Sequence, residues 1–151
     1  EGRIDAAVCY TANEPVQLRA AGHEVTEIMA SDYVDVVPNG LLTNEKSVAE
    51  RSETVGHMVR ALVRGLEDTI ADPSAAFEIA LKYVPEAGGD NRAVQEAVLR
   101  RSVETWQGEK TGITDREDWA ETQDFMLRAG LISEATDVDK MFSNEFVPDG
   151  E

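Results

Sequence analysis

The stretch Gly2-Arg3-Ile4-Asp5-Ala6-Ala7-Val8-Cys9-Tyr10, followed by Asn13-Glu14-Pro15, carries the first reading of the fold. A short, largely apolar run bounded by Gly2 and the polar Thr11–Glu14 has the character of a buried strand. Asn13 suits an N-cap, Glu14 suits a first helical turn, and Pro15 is tolerated there because that turn's N–H groups have no intrahelical partner. The order predicts a strand handing over to the N-terminus of a helix, a place where open α/β sheets bind small molecules. Nothing precedes this strand to pair with it, so the chain is expected to begin mid-protein.

Working outward, the first helix is expected to stop at Gly22, and Val25–Ala30 reads as a second strand. Val34–Thr43, interrupted by Pro38-Asn39-Gly40, reads as a turn between extended segments. From Asn44 the pattern becomes helical. Ser47-Val48-Ala49-Glu50 has capping-box spacing, and Val55, Val59, Leu62, Val63, Leu66 and Ile70 recur at three and four, predicting one buried helix face. Asp72-Pro73 restarts a helix that Pro85 ends, and Asp90 is expected to cap the next. Thr114-Asp115-Arg116-Glu117 is a second capping-box pattern, and the helix after it ends at Gly130. Trp106 and Trp119 fit helix periodicity and are expected in the core. The fold class is therefore α/β, with short strands in the first third and helices thereafter. So small a sheet cannot cover all these helices, which implies either assembly with a partner copy or, the favoured reading, a missing N-terminal half that supplies the rest.

Composition narrows the function. Thirty acidic residues against fourteen basic ones give the 151-residue chain a net charge of −16, which repels phosphate backbones and anionic membranes and argues against nucleic-acid binding. Only Lys46, Lys82, Lys110 and Lys140 are lysines. Such a surface fits either a saline habitat or a solubility margin, and stability that rises toward molar salt would mark the first. A lone Cys9 forms no internal disulfide, and His23 and His57 lie too far apart in sequence to suggest a zinc site.

Several motifs taken in order resemble one family. They are Gly-x-Ile-Asp-Ala at the start, Asn13-Glu14-Pro15, Asn39-Gly40-Leu41-Leu42-Thr43-Asn44-Glu45, and Ala71-Asp72-Pro73 with Ala75-Ala76-Phe77. Gly130-Leu131-Ile132 and Phe142-Ser143-Asn144-Glu145-Phe146 complete the set. The pattern resembles the C-terminal half of an ABC-transporter substrate-binding protein of the thiamine-pyrimidine-precursor class. That class is similar to riboflavin-, sulfonate- and nitrate-binding proteins and to a eukaryotic pyrimidine synthase. The resemblance implies a type II periplasmic-binding-protein-like fold of two lobes closing over a ligand by a hinge. It places residues 1–33 in the second lobe, 34–44 in a crossing segment, and 45–151 in a helical region packing largely on the first lobe. The expected partners are a small ring ligand (aminopyrimidine or flavin-like), ABC permease subunits and the missing N-terminal half, in an extracytoplasmic location without a cofactor. The synthase branch carries a cysteine-rich run where this chain has Val34-Asp35-Val36-Val37-Pro38, so the resemblance favours a binding protein over an enzyme. A helical interaction module is the remaining alternative.

The candidate ligand-binding residues are Tyr10, Asn13, Glu14, Asp32, Tyr33 and Asn39. Tyr10, at the end of the expected strand, could stack on a flat heteroaromatic ring. Glu14, favoured by the helix dipole, could accept from the exocyclic amine and protonated ring nitrogen of an aminopyrimidine. Asn13 serves as a cap or a contact. Tyr33 offers a second ring or a hydroxyl, and Asn39 can donate and accept. An acidic Glu14 argues against anionic sulfonate and nitrate ligands.

Overall fold

The computed structural model describes residues 4–34, 36–37, 39–108 and 110–148. Among the described residues the α-helices are α1 (Glu14–Ala20), α2 (Glu45–Glu50), α3 (Ser52–Ala71), α4 (Pro73–Ala80), α5 (Arg92–Trp106) and α6 (Arg116–Arg128). Single 3-10 turns lie at Ala30–Asp32, Pro85–Ala87, Gly89–Asn91 and Val138–Lys140. The chain divides into two compact units, one of residues 1–28 and 67–108, the other of residues 29–66 and 109–151.

The expected α/β class is overturned, because no strand occurs among the described residues. Neither Ile4–Tyr10 nor Val25–Ala30 forms a strand, the latter being irregular until Ala30 opens a 3-10 turn, and Val34–Thr43 holds no strand in its described part; Asp35 and Pro38 of that segment lie outside the described residues. A strand exists only through the ladder it shares with a neighbour, whereas a helix satisfies its own backbone. Without such a ladder the apolar run stays in solvent: Ile4 is 73% and Val8 106% exposed.

In the first unit α5 packs against both α1 and α4. Pro15, Phe77 and Val103 are its buried apolar side chains. Asp72 caps α4 by accepting from the N–H groups of Ser74 (3.1 Å) and Ala75 (2.9 Å), and Pro73 fills the first turn, as the sequence indicated. Arg92 opens α5 with its guanidinium 5.4 Å from the Phe77 ring centroid. It also pairs with Glu78 and, at 2.8 Å, with Glu96. Asp90 sits in a 3-10 turn, and Asn91 occupies the N-cap position of α5 without a side-chain cap bond. Trp106, at the end of α5, is 40% exposed rather than core. Helix α1 ends as expected, with Gly22 at φ +85° and the His23 N–H returning to the Leu18 carbonyl.

The second unit is built on most of α3 with α2, α6 and the chain after α6. Val63 and Val138 are its buried hydrophobics. Helix α2 starts one turn earlier than the Ser47–Glu50 pattern implied. Asn44 caps it, accepting from the Ser47 N–H at 2.8 Å, which leaves Ser47 inside the helix, buried and bonded by Arg51. Likewise Asp115, not Thr114, caps α6, through the Glu117 N–H at 2.7 Å. Thr114 is used otherwise. Its backbone N–H donates to the Asn144 Oδ1 (3.2 Å), its carbonyl accepts from the Asn144 Nδ2 (2.8 Å), and its hydroxyl accepts from the Trp119 indole (2.9 Å). Trp119, half-buried, stacks on Phe142 at 5.8 Å, so the segment holding Phe142 and Asn144 is clamped to the start of α6. The buried Gln123 accepts from the Thr136 N–H at 2.6 Å, tying the chain after α6 back to that helix.

Candidate functional site

The first unit brings Tyr10, Asn13 and Glu14 together. The Asn13 N–H closes a turn onto the Tyr10 carbonyl at 3.0 Å, which aims the Glu14 side chain back at residue 10. The Glu14 carboxylate then accepts from the Tyr10 N–H (3.0 Å) and from the Asn13 side-chain amide (3.3 Å). Asn13 makes no side-chain cap bond; its Oδ1 accepts instead from Gln17 at 2.6 Å. Tyr10 is 65% exposed. The turn thus joins an exposed tyrosine, through its backbone, to a carboxylate fixed by two donors. An ionised carboxylate has roughly four acceptor positions, so this one retains capacity for an incoming N–H.

Behind this turn lies a second polar group that the sequence reading did not single out. Thr11 donates its hydroxyl to Glu27 at 3.1 Å, and Arg19 pairs with the same carboxylate. Arg19 also donates to the Val25 carbonyl at 3.1 Å, tying the irregular segment after α1 back to the helix. The Arg19 hydrogen bond, helped by Thr11, holds the Glu27 carboxyl below its ordinary value of 4.5 against the opposing cost of desolvation. A lowered folded-state value means the contribution is present above pH 4.5 and is lost as pH falls through the folded value. Thermal melts from about pH 6 to about pH 3 are therefore expected to converge for the parent and Glu27→Gln as pH falls. A gap that widens on acidification would contradict this assignment. Thr11, Arg19 and Glu27 carried no motif; their meeting depends on the path taken after Gly22.

The second unit holds Asp32, Tyr33 and Asn39. Asp32 ends a 3-10 turn, and Tyr33, following it, is 80% exposed. Both line an open concavity of about 460 Å³, mostly polar, together with Ser31, Val34, Glu121, Asp124 and Arg128. Arg128 pairs with Asp124 at 3.2 Å along α6. Asn39 is exposed and is not among the lining residues. Glu121, Asp124 and Arg128 share one face of α6 by helical spacing. Their meeting with Ser31–Val34 joins segments far apart in sequence, which no local pattern announces. Elsewhere in this unit the Val37 N–H donates to the Thr122 hydroxyl at 2.8 Å, anchoring the chain after Tyr33 to α6.

Among the described residues no group of three or more His, Cys, Asp or Glu is placed to hold a metal ion. No helix among them is long and apolar enough to cross a membrane. What the fold presents is a helical scaffold with accessible rings beside carboxylates.

Residues 1–76 match the family described as NMT1/THI5 like, which is half of the chain. The chain belongs to the NMT1/THI5-like family, and the resemblance drawn from its motifs is borne out at that level. It is also 42% identical over 155 residues to the riboflavin-binding protein RibY of Chloroflexus aurantiacus. That match covers 99% of this chain but 44% of the relative, so the chain spans less than half the relative's length. No solved structure matches the chain.

Proposed function

We propose that this chain is part of the extracytoplasmic solute-binding component of an ABC importer, capturing a flat nitrogen heterocycle such as a thiamine pyrimidine precursor or a flavin. The observation that carries the reading is family membership together with 42% identity, along nearly the whole chain, to a protein named as riboflavin-binding. The local chemistry agrees with it. Tyr10 offers an accessible ring face worth on the order of 1 kcal/mol in stacking. Glu14, already held by two donors, can accept from a ring amine or imide N–H. Asp32 and Tyr33 repeat the pairing of carboxylate and ring in the second unit. An anionic sulfonate or nitrate would meet these carboxylates unfavourably. Binding needs no covalent chemistry from these residues, and a carrier rather than a synthase is the reading proposed.

Calorimetry on the full-length protein with hydroxymethylpyrimidine, formylaminopyrimidine, thiamine, riboflavin and taurine tests the assignment. Heat with a nitrogen-ring ligand and none with taurine is the expected pattern. Glu14→Gln is expected to weaken an aminopyrimidine by about 1–3 kcal/mol, the cost of losing a charge-assisted hydrogen bond. A flavin, with one ring imide N–H to offer, should lose less. No heat from any nitrogen heterocycle would end the proposal, and unchanged affinity in Glu14→Gln would return Glu14 to a purely local role.

A further inference from the structure

The turn that carries Tyr10 and Glu14 is entered by chain with little to steady it, since residues 4–10 are exposed throughout. Its own bonds are short in reach. Glu14 accepts from the Tyr10 N–H and the Asn13 side-chain amide, and Asn13 accepts from Gln17, all within residues 10–17. These bonds shape the turn without fixing where its start stands on the first unit. Pro15, fully buried, anchors the far end. The near end is tied by Thr11, whose hydroxyl donates to Glu27, 16 residues further on, at 3.1 Å.

Glu27 is a fixed acceptor. Arg19 of α1 pairs with it and also donates to the Val25 carbonyl at 3.1 Å, so the segment holding Glu27 is drawn onto α1. The Glu27 side chain is 20% exposed, and water competes for its oxygens less than at the open surface. Arg101 of α5 adds a longer-range attraction to the same carboxylate, and α5 packs on α1. A hydrogen bond to an ionised acceptor is roughly twice as strong as one between neutral groups. Two helices thus reach, through side chains, the residue that follows Tyr10. We propose that Thr11, Glu27 and Arg19 are positioning residues for ligand binding, holding Tyr10 and Glu14 in the arrangement that meets the ring. The inference rests on the reading of Tyr10 and Glu14 as contacts to that ring. In an exposed turn, open forms lie close in free energy to the closed one. Apparent affinity falls with the fraction of molecules competent to bind, so a tie that raises this fraction raises affinity without touching the ligand.

The test compares Thr11→Val, which keeps the shape and loses the donor, with Thr11→Ser, which keeps the donor. In the full-length protein, hydrogen exchange at the Tyr10 amide is read together with calorimetric affinity for riboflavin and hydroxymethylpyrimidine. Thr11→Val is expected to speed Tyr10 exchange about fivefold and to raise Kd about fivefold, with both near the parent values in Thr11→Ser. Exchange at the buried Val103 of the same unit should not change. Arg19→Met should act in the same direction, and adding it to Thr11→Val should change little, since both cut one path. Parent-like exchange at Tyr10 in Thr11→Val overturns the proposal, as does faster exchange with parent-like affinity. Equal acceleration at Val103 also overturns it, being the mark of general destabilisation. Should Thr11→Val not fold, Arg19→Met carries the same comparison. A parent protein that binds no nitrogen heterocycle removes the nutrient reading by itself, and Tyr10 exchange then still decides whether the tie holds the turn.

Discussion

Gly112→Ala is expected to lower the stability of the second unit by about 2–4 kcal/mol, the sum of a backbone cost and an overpacking cost. Gly112 has φ +84°, a region that a side chain enters at a penalty of order 1 kcal/mol or more. A Cβ there would also lie 2.8 Å from the Val63 Cγ2, closer than real contacts allow. Val63 is 3% exposed on the buried side of α3, so it has little room to retreat. Gly22 is the internal control. It has nearly the same φ, +85°, but nothing within 4 Å of its Cβ position, so Gly22→Ala should show the backbone cost alone, about 1 kcal/mol. Urea unfolding followed by Trp119 fluorescence in a Trp106→Phe background reads Gly112→Ala in the second unit, with the midpoint falling and the slope unchanged, and Trp106 fluorescence in a Trp119→Phe background reads Gly22→Ala in the first. Adding Val63→Ala to Gly112→Ala should relieve the clash, giving a double-mutant cycle with favourable coupling. A loss below about 0.5 kcal/mol for Gly112→Ala would show that this close approach does not persist in solution.

Phe77→Ala is expected to cost the first unit about 3–5 kcal/mol. Phe77 is 5% exposed on α4, in a unit whose buried apolar side chains are few. Its ring also supports the Arg92 guanidinium at 5.4 Å, while Glu78 and Glu96 hold that guanidinium from other sides. Losing the ring removes core volume and about 0.5–1 kcal/mol of cation–π attraction at this partly exposed cation. Phe77→Leu separates the two effects. It keeps most of the volume and should cost less than about 1.5 kcal/mol in packing, plus the lost ring interaction. Thermal melts followed by Trp106 fluorescence, at the end of α5, report on this unit. A drop of less than about 1 kcal/mol in Phe77→Ala would mean that α4 and α5 do not unfold through their shared contact.

Much of the helical part was legible because its signals are local. Asp72-Pro73 marked the start of α4, Gly22 and Gly130 marked the ends of α1 and α6, and the spacing of three and four announced α3. Errors within that part were shifts of a cap. Asn44 displaced Ser47, and Asp115 displaced Thr114, because adjacent polar residues compete for the same orphan N–H groups and only the backbone path selects the winner. The candidate site divides the same way. Tyr10, Asn13 and Glu14 meet within one turn of chain, so their grouping could be read from spacing. The Arg19–Glu27–Thr11 group and the concavity shared by Tyr33 and α6 could not, since each joins residues whose separation in sequence says nothing of their separation in space.

By itself the sequence determined where helices form, the family through its ordered motifs, and a net charge of −16. Tertiary structure decided that Ile4–Tyr10 and Val25–Ala30 are not strands, that Leu62 faces solvent while Val63 is buried, and which acids share a concavity with Tyr33. The physical reason is where each hydrogen bond closes. A helix closes its bonds four residues away within one segment, whereas a strand, a buried face and a cleft are each defined by a second segment that local pattern does not name.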